Sequence, residues 1–290
     1  MSLQGMLLCM ASKKSDARRD AAIELPEGVT QIRNISYGPH GDSNLLDVYY
    51  PQDAQGPLPT IVSIHGGGYV YGTKEIYRRY CMDLAKRGFA CVNFNYRLAP
   101  KWKFPTPLAD ANTVLQWVQM NAAQYHLNPA CVFLVGDSAG AQLASQYAAM
   151  HTNPEYAALF DLAMAKVNIR AVGLNCGMYD MEDNAKLPRK GIHLDYLGKK
   201  MDPKDPRFQV LANITQNFPP AFITTCCNDF LRGCAQPMHQ FLADKGVHTQ
   251  WKCYGTEDNK AVAHVFHVNI ILPEAKQCND DTAAFFQQYI

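Results

Sequence analysis

The sequence is short of several things, and each shortage closes off a class of function. It has no surplus of charge of either sign: 27 Lys and Arg face 26 Asp and Glu over 290 residues, a net +1 with His neutral. Nucleic-acid clamps need excess cations to displace phosphate counterions, so no nucleic acid is expected as a partner. The same balance weakens any case for docking on an anionic membrane. No apolar run is long enough to span a bilayer, and stable membrane insertion is not expected. The patch from Met6 to Met10 is too short for a secretory leader and has no basic residue before it. The ten cysteines form no CxxC pair and no Cys/His ligand spacing, so no metal is expected. Several, such as Cys91 and Cys131, sit inside apolar runs and read as small buried hydrophobes, which suits a reducing cytoplasm. Internal repeats and low-complexity tracts are missing as well.

What remains is ordinary globular material, 48% hydrophobic and 18% charged, enough for a large core. From Leu45 onward, short β-branched or aromatic runs alternate with segments of helical period. The expected strands are Leu45–Tyr50, Thr60–Ile64, Ala90–Tyr96, Cys131–Gly136, Ala171–Asn175, Ala221–Cys226 and Gln250–Tyr254. The expected helices are Lys74–Arg87, Ala109–Gln124, Ala139–Met150, Gly233–Lys245 and Pro273–Tyr289. That alternation implies βαβ units, hence an α/β fold with a mostly parallel central sheet and helices on both faces. Residues 1–40 read as an N-terminal arm with a helix, and 41–290 as the main domain. The charged, proline-bearing stretch from Asp180 to Phe218 interrupts the rhythm and reads as a lid or cap, or else as a solvated connection.

Two motifs carry chemistry. Gly136-Asp137-Ser138-Ala139-Gly140 follows an apolar strand and opens a helical segment, the setting of a nucleophile elbow. Its turn is so tight that the positions two before and two after the serine must be nearly free of side chain. A serine that merely caps a helix is the bland alternative, and the context on both sides outweighs it. His65-Gly66-Gly67-Gly68 follows the strand Thr60–Ile64. A glycine run there lets a substrate carbonyl approach backbone N–H donors closely, as acyl transfer requires. A phosphate cradle is disfavoured, since no GxxxxGK[ST] lysine follows.

With these motifs in order, the chain resembles the hormone-sensitive-lipase-type esterases and lipases of the α/β-hydrolase fold. The linking segment Asn95-Tyr96-Arg97-Leu98-Ala99-Pro100, then Phe104-Pro105 and Asp110, adds to the likeness, which runs from about Leu45 to the C-terminus. The resemblance implies Ser138 as nucleophile and an oxyanion hole from the N–H groups of Gly67, Gly68 and Ala139. Asn228-Asp229-Phe230-Leu231-Arg232-Gly233 stands where the family has Asp-Pro-Leu-Arg-Asp, which makes Asp229 the acid, with Asp180 as rival. Ala141 stands where many relatives have a further glycine. The order serine, acid, histidine leaves His264 and His267 as close candidates for the base. Ala263-His264-Val265-Phe266 resembles the family's His-x-Phe turn and selects His264; His239 and His248 read as packing or surface residues.

The implied activity is hydrolysis of carboxylic esters with short to medium acyl or aryl groups, with no cofactor. Tyr69, Tyr71, Phe230 and Phe266 are the expected substrate walls. An arylformamidase or other amidase, or a sugar-acetate deacetylase, would use the same triad. A ligand receptor on a hydrolase scaffold would typically have lost the histidine. The expected partner is a small-molecule ester, and a homodimer is left open.

Overall fold

The computed structural model describes residues 1–179, 190–202 and 204–290. An eight-stranded sheet is built from β1 (Val29–Ser36), β2 (Leu45–Pro51), β3 (Leu58–Ile64), β4 (Ala90–Phe94), β5 (Leu127–Asp137), β6 (Ile169–Asn175), β7 (Ala221–Cys226) and β8 (Thr249–Tyr254). The helices are α1 (Leu3–Ala21), α2 (Lys74–Ala85), α3 (Thr106–Asn121), α4 (Ala139–Thr152), α5 (Pro154–Ala158), α6 (Gly191–Leu197), α7 (Val210–Asn213), α8 (Arg232–Asp244) and α9 (Pro273–Gln287). The strands lie in the order β1-β2-β4-β3-β5-β6-β7-β8. β1 and β4 each pair antiparallel with β2, and every other pairing is parallel.

The sheet is parallel because its central strands are apolar on both faces. In β5, Val132, Phe133, Leu134 and Val135 are all buried, and the period of two sends them to opposite sides. Phe133 and Val135 join Tyr80, Met82 and Phe286 of α2 and α9 on one face. Val132 and Leu134 join Leu115, Leu143 and Leu242 of α3, α4 and α8 on the other. Phe133 stacks on Phe286 with ring centroids 4.5 Å apart. This layering puts the carboxyl ends of β3, β5, β6 and β7 on one edge, where sheets of this kind bind their ligands.

The expected α/β architecture is present, and β7 matches its expected bounds to the residue. The region of residues 1–40 divides in two. α1 lies over the carboxyl edge, whereas β1 joins the sheet as an edge strand. Only Val29 of β1 is buried, so the strand lacks the apolar alternation that would have announced it. The expected excursion after β6 carries α6 and α7; Asp180, the rival acid, lies outside the described residues.

Candidate active site

The turn after β5 is forced by its sequence. Ser138 has φ 52° and ψ −118°, a conformation that a side-chain-bearing residue adopts only when its surroundings hold it there. Those surroundings are the flanking glycines. A Cβ on Gly136 would lie 2.3 Å from the Gly140 carbonyl oxygen, and one on Gly140 would lie 2.0 Å from that of Ile64. The elbow is therefore wedged against β3, its neighbour in the sheet, whose Ile64 is in register with Gly136. α4 begins immediately afterwards, so the positive end of a helix faces the serine.

The glycine turn after β3 lies beside it. Gly67 has φ 111°, and a Cβ there would come within 2.2 Å of the Tyr71 carbonyl oxygen. Among the described residues, nothing accepts from the N–H of Gly67, Gly68 or Ala139. All three residues line a cavity of about 470 Å³ together with Ser138 and His264. Unpaired donors gathered in one cavity are what a developing oxyanion requires. His65 braces the turn from below: its ring stacks on Tyr96 at 4.0 Å, and the Tyr96 hydroxyl donates to the His65 carbonyl (3.0 Å). Burial lowers the His65 pKa to about 4, so the ring is neutral and acts through packing. Next to Tyr96, Arg97 bonds both carboxylate oxygens of Asp110, which ties this segment to α3.

Asp229 follows β7, and its carboxylate is fully engaged. Oδ1 accepts from His264 Nδ1 (2.7 Å) and from the Leu231 N–H (2.9 Å), while Oδ2 accepts from the Thr225 hydroxyl (2.8 Å). Burial opposes the charged form, but these partners outweigh it and hold the carboxyl below the ordinary range. The histidine loop is tied to the acid loop by Asn228, which sequence reasoning passed over. Its backbone forms a parallel bridge with Ala263, and its amide donates to the carbonyls of Thr256, Asn259 and Val262. One side chain thereby organises the long polar loop before His264.

The rival base has a different environment. His267 is buried, sits edge-on to Tyr80 at 5.0 Å, and makes no hydrogen bond with either ring nitrogen. Burial, with His264 adding to it, lowers its pKa to about 3. Phe266 corrects the expected substrate walls. Val265 adopts a left-handed conformation (φ 58°), which turns Phe266 away from the cavity and into a cluster with Tyr254, Val262 and Cys278. Val265 lines the cavity instead. Tyr69, Tyr71 and Phe230 do line it; Phe230 is 76% exposed, with its ring 4.1 Å from that of His264.

Two further features were not foreseen. The Gly66 N–H donates to the Tyr77 hydroxyl (3.0 Å), which donates to Asp137 Oδ2 (2.7 Å), linking the glycine turn to the elbow. Burial drives the Asp137 pKa up to about 7, against the pull of Tyr77 and His264. The roof of the cavity comes from α1 and α6: Leu8, Ser12, Asp16 and Arg19 from one, Ile192 and His193 from the other. Asp195 joins the two helices, accepting from the Ser2 N–H (2.8 Å) and hydroxyl (2.6 Å). One group of metal-ligand type occurs among the described residues: Cys176, Asp229 and His264 have donor atoms within 4.8 Å of one another. Its acid and histidine are already bonded together, and the Cys176 thiol is pushed up by burial.

A model of the alpha/beta hydrolase fold family matches residues 61–268, most of the chain and every strand from β4 to β8. The chain belongs to that family. This hydrolase is 29% identical over 243 residues to the versiconal hemiacetal acetate esterase of Dothistroma septosporum, covering 79% of this chain and 73% of that one. It is 26% identical over 285 residues to an acetyl esterase of Salmonella typhi, covering 93% and 83%. Among solved structures it resembles esterase B of Lactobacillus rhamnosis, with a TM-score of 0.87 and 25% identity over 98% of this chain and 95% of that one. No helix among the described residues of the hydrolase is long and apolar enough to cross a membrane.

Proposed function

We propose that the hydrolase cleaves carboxylic esters of small molecules through an acyl-enzyme, with Ser138 as nucleophile, His264 as base and Asp229 as the acid that orients it. His264 Nδ1 is committed to Asp229, which leaves Nε2 to take the serine proton. The Ser138 oxygen then adds to the acyl carbon, and the N–H groups of Gly67, Gly68 and Ala139 receive the negative charge. His264 returns its proton to the departing alcohol, and water repeats the sequence to release the acid. The single observation that carries this reading is the 2.7 Å His264–Asp229 bond in the cavity that also holds Ser138 at its strained elbow. The esterase names of the similar proteins support the ester over other acyl substrates.

The cavity supports short to medium acyl or aryl esters: Leu8 Cδ2 and Ile192 Cγ2 lie 3.1 and 3.3 Å from where a Cβ on Gly68 would stand, which limits bulk above the oxyanion donors. Residues 1–40, through α1, and the 180–218 excursion, through α6, are assigned to the cap. The test is turnover of p-nitrophenyl acetate and butyrate by the chain and by Ser138→Ala, with mass spectrometry after a fluorophosphonate. One phosphonyl group on Ser138 and loss of roughly six orders of magnitude in kcat for the variant are expected. Absence of an adduct on a folded chain would assign the scaffold to ligand binding without turnover. Faster cleavage of matched anilides than of esters would assign it to amides.

A further inference from the structure

α1 is amphipathic in the wrong sense for a helix that only packs on its own protein. The face toward the cavity is largely polar, with Gln4, Ser12, Ser15, Asp16 and Arg19 beside Leu8. The opposite face carries Leu3, Met6, Leu7 and Met10, spaced i, i+3, i+4, i+7, and these are between 46% and 71% exposed. Lys13, Lys14 and Arg18 continue that face toward the C-terminal end, and all three are exposed. Among the described residues their side chains make no hydrogen bond or ion pair. The helix's own carboxylates, Asp16 and Asp20, are both engaged by Arg19. An apolar stripe flanked by unpaired cations, on a helix lying flat over the molecule, has the composition that settles in the headgroup layer of a lipid surface.

We propose that the outer face of α1 docks on an anionic lipid surface, with the four apolar side chains entering the headgroup layer and the three cations meeting lipid phosphates. The balanced total charge hides this patch, because the acids that cancel it lie elsewhere on the chain. Self-association through the same face would bring three unneutralised cations of each copy together, which favours lipid over a second copy. Docking would set the roof of the cavity against the lipid, so that esters dissolved there reach the site without crossing bulk water.

The test is co-sedimentation with sucrose-loaded vesicles of phosphatidylcholine, with and without one third phosphatidylglycerol, at low and high salt. Binding to the anionic vesicles, weakened about tenfold or more by high salt or by omitting phosphatidylglycerol, is expected. Leu7→Glu/Met10→Glu and, separately, Lys13→Gln/Lys14→Gln should each weaken binding about tenfold or more, with turnover of a dissolved short ester unchanged. The lysine pair leaves the apolar stripe intact, so it tests the idea even where the first variant is misfolded. No binding of the unaltered chain, or equal binding by the lysine variant, overturns the proposal. A dimer in sedimentation velocity that Leu7→Glu/Met10→Glu dissolves, without vesicle binding, gives the face to a second copy and overturns it too. Pelleting is read as protein mass, so docking and ester hydrolysis can each fail without the other.

Discussion

Asp137 stands next to Ser138 with its carboxyl buried, and the consequence should be measurable as a dependence of stability on pH. Burial raises its folded-state pKa from 3.8 to about 7. Below both values the carboxyl is protonated in both states and costs nothing. As pH rises between them, the unfolded chain releases the proton while the folded chain retains it, so stability falls. Above both values the loss is complete. One pKa unit corresponds to about 1.36 kcal/mol, so the rise from 3.8 to about 7 removes about 4 kcal/mol across this window. Asp137→Asn keeps the shape and an oxygen to accept from Tyr77, but it has no proton to release. Urea unfolding of both proteins at several pH values from 4 to 8.5 isolates the contribution of Asp137, since other groups titrate alike in the two. The unaltered chain should lose about 4 kcal/mol relative to the variant between the ends of that range. A difference that stays constant within about 1 kcal/mol would show that Asp137 is ionised at ordinary pH despite its burial, and the reasoning would fail.

Three other outcomes follow from the geometry. Asp229→Asn should lower kcat by about 10⁴ with little change in KM, because the amide presents the wrong partner to His264 Nδ1; a loss under tenfold in steady-state kinetics would move the acid elsewhere. Gly67→Ala should both destabilise the chain and cost about a hundredfold or more in kcat, since its Cβ would meet the Tyr71 carbonyl at 2.2 Å; thermal unfolding and turnover together check it. Asp195→Asn, which weakens the clamp on Ser2, should raise KM several-fold while leaving kcat nearly unchanged, measured across esters of increasing acyl length.

Much of this molecule was legible in its sequence because the chemistry demands small residues in fixed places. The elbow needs glycine on both sides of Ser138, and β5 needs apolar residues on both faces, so both appear as strings that few other structures would require. The misses have physical causes too. β1 is an edge strand with one buried residue, and it carries no alternation to read. By type Phe266 reads as a cavity residue, but the left-handed backbone of Val265 exchanges the two side chains, and a φ angle leaves no mark in composition. The inward face of α1 is serine, aspartate and arginine, which reads as solvent until a cavity is seen beneath it. Asn228 is a single amide whose three carbonyl partners come from a loop more than twenty-five residues further on. Nothing local distinguishes it from a turn residue.

The cavity is assembled from two kinds of parts, and the division bears on how such a hydrolase changes its diet. Ser138 and the Gly67 turn stand on loops wedged into the sheet, where a single added methyl group meets backbone. The roof is two helices joined to each other by the Asp195 clamp on Ser2, and its lining side chains, Ser12, Ile192 and His193 among them, reach the cavity from outside the sheet. Substitutions there can reshape what is admitted without disturbing what is done to it. A mutational library aimed at new esters belongs in that roof, with the elbow and the glycine turn held constant.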